Sequence, residues 1–432
     1  MIRIPIVLLI AIFLIVSFSC NQRQSEDAGG DTQPQIKKEV TAKNILGNPN
    51  YQAISYGGYR QKSRDIQPTV EELKEDMKIL HAMGIRVLRT YNTKLKHASN
   101  ALEAIHQLKG ENPDFEMYVM LGAWIDCANA WTNQAPNHDE EDAEGNAAEI
   151  QRAVDLANKY PDIVKVIAVG NEAMVKWAAS YFVQPWVILK WVNHLQELKK
   201  TNKLSKDLWI TSSDNFASWG GGEDQYHVPD LEALMKAVDY ISLHTYPMHD
   251  THYNPDFWGT LESEVSLSDE EKIEKAMVRA KEYAMSQYQN TVNYMKSLGI
   301  EKPVHIGETG WASFSNGHYG NKGSQATDEY KEALYHQYMR EWTDSVGISC
   351  FYFEAFDEIW KDAHNSGGSE NHFGLFTIDG QAKYALWDLV DKGVFEGLTR
   401  GGKSIGKTYN GDKESLMKEV KNPPVKVGVT VQ

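Results

Sequence analysis

A repeated order of segments constrains this chain most: a short apolar run, a polar loop and an amphipathic helical stretch. The runs with the length of buried strands are residues 53–59, 85–91, 117–124, 164–171, 208–214, 238–246, 304–308 and 348–356. Helical stretches between them include 69–84, 146–161, 186–200, 267–299 and 328–347. Strands that alternate with helices pair in parallel, and eight well-spaced units favour a closed barrel over a doubly wound sheet. We therefore predict an α/β fold, a (β/α)8 TIM barrel, with one domain over residues 46–398.

The N-terminus carries the features of an export signal. Arg3 supplies a positive charge, and the apolar run of about fifteen residues that follows suits a secretory signal and is short for a membrane-spanning helix. The run ends in SFSC, residues 17–20, which resembles a bacterial lipobox, although a leucine is usual where Ser17 stands. We predict a signal peptide over 1–19, lipidation of Cys20 and a cell-envelope location, in the outer membrane or periplasm. A plain secretory signal and an uncleaved anchor are the alternatives.

The segments that flank the predicted barrel differ from it in composition. Residues 20–45 are polar and almost free of aromatics, so we predict a flexible tether. Residues 399–432 are rich in glycine, lysine and proline, so we predict a loosely packed C-terminal tail. After the lipobox only Cys127 and Cys350 remain. They could pair, but with two cysteines in a chain of this size we expect buried free thiols.

Composition narrows the choice of partner. The chain has 44 Lys and Arg against 59 Asp and Glu, a formal net charge of −15, and it lacks a basic cluster with interleaved aromatics. Such a surface repels a phosphate backbone, so we expect no nucleic-acid partner. A neutral polymer is not repelled. The 12 tryptophans and 21 tyrosines suit a groove that stacks sugar rings, although ordinary packing could also use them.

Two predicted strands end on glutamate at the edge of the barrel where chemistry takes place. Strand four ends Asn171-Glu172, and strand seven ends at Glu308. Like charges raise each other's pKa, so carboxylates rarely converge without a task. Glycoside hydrolysis needs such a pair, because one carboxyl protonates the leaving oxygen while the other, ionised, attacks or shields the anomeric carbon. The pattern therefore indicates a glycosidase.

Longer stretches around these residues resemble glycoside hydrolase family 17, the β-1,3-glucanase family. The stretch VIAVGNEA (166–173) is similar to the family's acid/base strand, and IGETGWAS (306–313) resembles its nucleophile strand, with Thr309 where a serine is common. FYFEAFDEIWK followed by ENHFGLFTIDG resembles the eighth strand and its loop, and SYGGY and VLRTYNT fit the first two strands. The resemblance extends over nearly all of the predicted barrel.

The resemblance implies roles for the residues that match. Glu172 would be the general acid and then the base of a retaining double displacement, and Asn171 would bind the 2-hydroxyl of the sugar at the cleavage point. Glu308 would be the nucleophile that forms the glycosyl-enzyme. Tyr246, at the end of strand six, would hold Glu308 ionised.

Two further groups of residues are candidates for contacts around the catalytic pair. One matches a charged cluster of the family, which would position the pair and tune its pKa values or would form a structural ion network: Glu358, Lys361 and Glu370. The other consists of aromatic residues that would stack on sugar rings or would simply pack: Tyr91, Trp124 and Trp311.

Departures from the family leave two questions open. Plant members usually carry asparagine where this chain has His244, which could contact substrate or pack locally. An insert at 249–266 on the active face could close one end of the cleft, which implies exo action, or leave it open for endo action. His249 and His252 lie beside Asp250, but no partner motif occurs elsewhere in the sequence. We therefore predict neither a metal nor a cofactor.

Together these observations predict a retaining hydrolase of β-1,3-glucosidic bonds in laminarin-type glucans or their oligosaccharides. We expect a monomer whose partner is the glucan and whose contact with a membrane is the lipid anchor alone. The alternatives are transglycosylation by the same carboxylates, a β-1,4-specific sister family, and a non-catalytic glucan-binding lipoprotein.

Overall fold

The structure, a computed structural model, describes residues 40–426. The predicted signal peptide, the predicted lipidation site Cys20 and residues 20–39 of the predicted tether lie outside the described residues, as do residues 427–432.

Parallel strands form a closed barrel in which each strand pairs with the next and the last pairs with the first. They are β1 (Gln52–Ser55), β2 (Ile85–Arg89), β3 (Tyr118–Ala123), β4 (Val164–Asn171), β5 (Trp209–Asn215), β6 (Ile241–His244), β7 (Val304–Gly310) and β8 (Cys350–Phe353). Short antiparallel pairs lie outside the barrel: Cys127–Ala128 with Asn137–Glu141, and Thr399–Arg400 with Lys403–Ser404. Each predicted strand segment overlaps a barrel strand, so the predicted (β/α)8 barrel is confirmed.

Helices surround the strands. They are α1 (Ala42–Ile45), α2 (Val70–Ala82), α3 (Lys96–Glu111), α4 (Ala143–Lys159), α5 (Pro185–Lys200), α6 (Pro229–Ala237), α7 (Pro247–Tyr253), α8 (Asp269–Ser297), α9 (Glu329–Val346), α10 (Trp387–Asp391) and α11 (Lys413–Glu419). The predicted helical stretches correspond to α2, α4, α5, α8 and α9. Within residues 40–426, no helix combines the length and the apolarity that crossing a bilayer requires.

Local sequence sets the ends of several helices. At the start of α2, Thr69 Oγ1 accepts from Glu72 N, and the Glu72 carboxylate accepts from Thr69 N at 2.8 Å. Ser268 and Glu271 form the same reciprocal cap at the start of α8. Gly347 ends α9 in the left-handed region, at φ +68°, which glycine adopts without a steric penalty. These signals are local, which explains why the sequence located these helices closely.

The N-terminal boundary of the barrel domain lies earlier than predicted. Residues 40–45 were expected to belong to the flexible tether, but α1 buries Ala42 and Ile45 fully in an apolar cluster. That cluster includes Ala53 and Phe351 of the barrel strands. The polar composition of the tether as a whole concealed these two apolar side chains, which cover the amino-terminal end of the barrel.

The predicted loose tail is wrong for residues 399–426. Arg400 is buried and pairs with Asp76 of α2, with Nε 2.8 Å from Oδ1. Lys331 of α9 donates to the Lys421 carbonyl at 2.7 Å. Both contacts join residues far apart in sequence, so glycine and lysine content alone could not reveal that the segment is fixed against the outer helices.

The insert at 249–266 packs mainly against α8 and its neighbours. Arg279 of α8 pairs with Glu264, with Nη1 2.6 Å from Oε1. Trp258 is buried, and its indole N–H donates to the Ser324 carbonyl at 2.8 Å. The later half of the insert is therefore held at the side of the barrel.

Candidate active site

The two predicted catalytic glutamates lie at the same end of the barrel. Glu308 belongs to β7, and Glu172 follows β4 directly. Arg89, the last residue of β2, connects the two positions, because it pairs with Glu308 and also donates to Asn171 Oδ1. His244 Nδ1 lies 3.1 Å from Glu172 Oε1, and His244 is also the register partner of Glu308 between β6 and β7. Both carboxyl groups therefore face one shared space at the carboxyl ends of the strands.

Glu308 is held as a carboxylate by several groups. Tyr246 donates its hydroxyl to Oε1 at 2.6 Å, Tyr91 donates to Oε2 at 3.0 Å, and Arg89 pairs with Oε2. Burial by itself raises the pKa of Glu308, but the charges of Arg89 and His244 and the hydrogen bonds from Tyr246 and Arg89 outweigh burial. The pKa of Glu308 therefore lies well below its ordinary value, and the group is ionised at neutral pH.

The two tyrosines stay protonated beside this carboxylate. Burial raises the pKa of Tyr91 and of Tyr246 well above the ordinary value, and the charge of Glu308 raises both further. Tyr246 thus makes the contact that its predicted role requires. Tyr91 was expected to be a stacking platform, but its hydroxyl binds Glu308 and the Arg89 guanidinium lies 4.7 Å from its ring centroid. The structure gives Tyr91 a hydrogen-bonding role instead.

Glu172 is the more open of the two carboxyl groups. Its side chain is 25% exposed, against 9% for Glu308. Its backbone φ is +45°, a left-handed conformation that is uncommon outside glycine and is concentrated at functional sites. Its amide donates to the Ser213 carbonyl at 3.0 Å, which fixes the turn beyond β4. The pair therefore consists of one buried carboxylate, Glu308, both of whose oxygens accept hydrogen bonds, and one accessible carboxyl group, Glu172.

His244 is fully buried and contacts Glu172. Of the two possibilities that the sequence left open, contact with substrate or local packing, the structure shows local packing. His244 Nε2 lies 2.7 Å from Ser213 Oγ, and Ser213 Oγ lies 2.8 Å from Ser242 Oγ. The ring thus bridges the polar interior of β5 and β6 to the accessible carboxyl group. Arg89 and Ser213 were not among the predicted site residues. Arg89 ends the apolar stretch of β2, whereas Ser213 lies in the polar second half of β5, where residues 211–215 are all polar.

The predicted charged cluster divides into two parts. Lys361 Nζ lies 2.7 Å from Glu354 Oε1 and 3.6 Å from Glu358 Oε2, and both glutamates are buried. Burial raises the pKa of Glu354 above its ordinary value, although the charge of Lys361 opposes this. Glu370 is more exposed and lies 3.6 Å from His249 Nε2. Burial raises the pKa of Glu370, but its contact with His249 and the charges of His249 and Lys361 bring it below its ordinary value. The sequence missed Glu354, which directly follows β8.

An aromatic ring separates the buried part of this cluster from the tyrosines that donate to Glu308. Lys361 Nζ lies 3.8 Å from the ring centroid of Phe353. The same ring meets Tyr91 and Tyr246 edge-on, at centroid distances of 6.5 and 6.2 Å. The buried part of the cluster therefore contacts the tyrosines of Glu308 only through the ring of Phe353, and it does not touch Glu308 directly.

The two tryptophans predicted to stack on sugar rings differ in burial. Trp311 is fully buried, and its ring packs against Trp258 and Tyr335, so it offers no face to a ligand and the prediction is wrong. The chain turns inward directly after β7, which sequence alone does not show. Trp124 is half-buried and donates its indole N–H to Asp126 at 2.7 Å. Its role as a stacking platform stays a prediction.

The histidines near the insert are engaged with other side chains. His249 lies against Glu370, and His252 stacks on His318 with ring centroids 4.1 Å apart. Within the part of the chain that the structure describes, no group of three or more His, Cys, Asp and Glu is placed to hold a metal ion. Both cysteines of that part, Cys127 and Cys350, are free and buried, as the sequence predicted.

Comparison with known proteins identifies relatives over most of the chain. Residues 53–374 match the family model described as the BtgE/BtgC glycoside hydrolase domain. The fold is similar to the crystal structure of an endo-laminarinase from Formosa Hel1_33_131, with a TM-score of 0.90 and 72% sequence identity. That alignment covers 91% of this chain and 100% of the other.

More distant relatives come from fungi. A probable glucan endo-1,3-beta-glucosidase, btgC of Aspergillus terreus, is 22% identical over 372 residues, covering 81% of this chain and 48% of the relative, so the chain spans about half of that protein. A glucan 1,3-beta-glucosidase of Arthroderma benhamiae is 24% identical, with 74% and 86% covered. A mutant beta-1,3-glucanosyltransferase of Rhizomucor miehei, solved with laminaritriose, shares the fold with a TM-score of 0.54, 22% identity and coverage of 78% and 96%.

The hydrogen bond from Tyr246 to Glu308 makes a testable contribution to pH dependence. In Tyr246→Phe the carboxylate loses one of the bonds that lower its pKa, so that pKa rises. Because a nucleophilic Glu308 must be ionised, the acidic limb of kcat/KM for glycoside hydrolysis should move to higher pH. The maximal kcat/KM should fall about 10- to 100-fold, as expected for a hydrogen bond to a charged group.

The matched control is Tyr338→Phe on α9, outside the barrel, which should leave the pH–rate profile unchanged. An acidic limb at the same pH in Tyr246→Phe and in the unaltered protein would contradict the assigned role of Tyr246.

Proposed function

Because this chain belongs to the BtgE/BtgC family of glycoside hydrolases, we propose that it cuts β-1,3-glucosidic bonds inside laminarin-type glucans with retention of configuration. Its resemblance to a β-1,3-glucanase family is confirmed by the family match and by the 72% identical endo-laminarinase. One observation carries the mechanism: Glu308 is kept ionised by Arg89, Tyr246 and Tyr91, while Glu172 stays accessible across the same space.

In the first step Glu308 acts as the nucleophile. One of its oxygens forms a bond to the anomeric carbon while the bond from that carbon to the leaving oxygen breaks, and Glu172 gives its proton to that oxygen. Asn171 accepts from Arg89 through Oδ1, which leaves its NH2 group to donate to the sugar 2-hydroxyl. That bond strengthens as the ring flattens, so it lowers the barrier and not merely the binding energy.

In the second step Glu172 acts as the base. Water attacks the anomeric carbon, its proton passes to Glu172, and the bond to Glu308 breaks, so the β configuration is restored. The exposure of Glu172 allows water to reach this position. His244, 3.1 Å from Glu172 Oε1, holds the carboxyl group in place through both steps.

Internal cleavage is supported by how the insert packs. Arg279 holds Glu264 against α8, and Thr260 donates to the Pro423 carbonyl of the C-terminal segment at 2.9 Å. These contacts hold the second half of the insert against α8 and the C-terminal segment. We infer that the insert leaves the cleft open at both ends, so that it accepts a chain at any point along its length, as the similarity to the endo-laminarinase also supports.

The alternative functions that the sequence left open are less well supported than glucan hydrolysis. A non-catalytic binding protein needs neither an ionised Glu308 nor its donors, yet all of these are in place. Transglycosylation uses the same two carboxylates, with a sugar hydroxyl in place of water. Products longer than the starting oligosaccharide at high substrate concentration would favour transfer.

Digestion of laminarin tests the proposed function directly. An internal cut at random positions should release a ladder of β-1,3-oligosaccharides early in the reaction, resolved by size on chromatography. Cellulose-derived β-1,4-oligosaccharides serve as the control substrate and should stay intact. Glucose as the sole early product would contradict endo action, and intact laminarin would contradict the proposed function.

Azide separates the roles of the two glutamates. Glu308→Ala should lower kcat by at least about 10³-fold on an activated β-glucoside, because the covalent step is lost. Azide should then restore turnover and yield a glycosyl azide of inverted configuration. Glu172→Ala is the matched variant, and with azide it should yield a glycosyl azide of retained configuration.

Nuclear magnetic resonance of the azide products assigns their configuration. Full activity in Glu308→Ala, or exchanged configurations between the two variants, would overturn the assignment of nucleophile and acid.

We further propose that the chain is an exported lipoprotein anchored through Cys20, which would place the enzyme at the cell envelope. The apolar run and the SFSC sequence at residues 17–20 support this. Expressed whole in a bacterial host fed labelled palmitate, the protein should carry the label, and Cys20→Ser should lose it. Cys127→Ser, which removes a buried thiol, should keep it. An unlabelled wild-type protein would contradict the anchor.

A further inference from the structure

A row of aromatic side chains runs along the loops that follow β3 and β4. The rings of Trp124 and Tyr181 have centroids 5.1 Å apart, and those of Tyr181 and Trp131 lie 5.2 Å apart and nearly parallel, at 22°. Trp131, at the outer end, is 63% exposed. Trp131 therefore presents a flat apolar ring face to solvent, with Tyr181 stacked behind it, in contrast to the buried Trp311.

The inner end of the row lies beside Glu172. Trp124 directly follows β3, and β3 pairs with β4 up to Ala123 and Val169, close to the point where β4 leads into Glu172. Burial raises the pKa of Tyr181, and the charge of Glu172 raises it further, by more than the charge of Glu308 does. Tyr181 thus stands on the side of the catalytic pair that belongs to the acid.

The row is rigidly held. Asp126 Oδ1 accepts the indole N–H groups of both tryptophans, from Trp124 at 2.7 Å and from Trp131 at 3.0 Å. Trp131 has φ +60°, a left-handed conformation that is costly for a bulky residue and that clusters at ligand-binding sites. Trp131 is exposed, yet a carboxylate and a strained backbone hold its ring in one position. An exposed apolar ring that is held in this way marks a binding surface.

We propose that Trp131, supported by Tyr181 stacked behind it, binds a glucosyl unit on the leaving-group side of the cleaved bond, and this rests on the proposed function. The acid protonates the leaving oxygen, so the departing part of the chain must extend from Glu172. The row begins there and continues outward. The apolar faces of β-glucosyl rings fit flat aromatic rings, and Asp126, held by the indoles, keeps these rings oriented. The surface therefore makes the enzyme favour long chains.

The test compares substrates with and without sugar on the leaving-group side. Laminarihexaose occupies that side, whereas β-laminaribiosyl fluoride leaves only fluoride there. Trp131→Ala should lower kcat/KM for laminarihexaose about tenfold and leave fluoride hydrolysis unchanged. Trp131→Phe keeps a flat ring and should recover most of the loss, although it cannot bond to Asp126.

Each outcome bears on the proposal. Wild-type kcat/KM for laminarihexaose in Trp131→Ala would overturn it, and so would an equal loss on the fluoride, which would indicate general damage. Failure of Trp131→Phe to recover activity would remove stacking as the cause. If the unaltered protein cleaved neither substrate, the proposed function itself would fail, a result distinct from loss in the variant alone.

Discussion

The contact between Arg89 and Glu308 is the interaction on which the site depends. Both side chains are almost fully buried, and burying two charges costs more than their attraction returns unless further hydrogen bonds satisfy them. Here Tyr91 and Tyr246 donate to the carboxylate and Asn171 accepts from the guanidinium. The bonds that offset the cost of burial are also those that keep Glu308 ionised and that orient Asn171, the residue next to Glu172.

The two glutamates lie at the same end of the barrel, but their surroundings differ. Glu308 lies within β7 and is surrounded by donors, whereas Glu172 lies one residue beyond β4, in a left-handed turn that leaves it partly exposed. His244 contacts Glu172 and is the register partner of Glu308, so β6 sets the position of both. Environment, and not residue type, therefore separates the proposed nucleophile, Glu308, from the proposed acid, Glu172.

Contacts close in sequence were the most predictable. The strands, the capped helices and the two glutamates each follow from a local pattern: period, cap or strand end. The errors fell on residues whose surroundings come from elsewhere in the chain. Trp311 and Tyr91 look like exposed aromatics at strand ends, but buried partners from other strands and loops enclose the first and occupy the second.

The sequence by itself determined the barrel, its order of strands and the placement of Glu172 and Glu308 at strand ends, because alternation and chain order are written in neighbouring residues. Only the tertiary structure decided that Arg89 binds Glu308, that His244 binds Glu172, and that residues 399–426 are fixed by Asp76 and Lys331. These contacts join side chains separated by tens to hundreds of positions. Closure of the strands brings them together, and no local pattern records which of the many polar residues will meet.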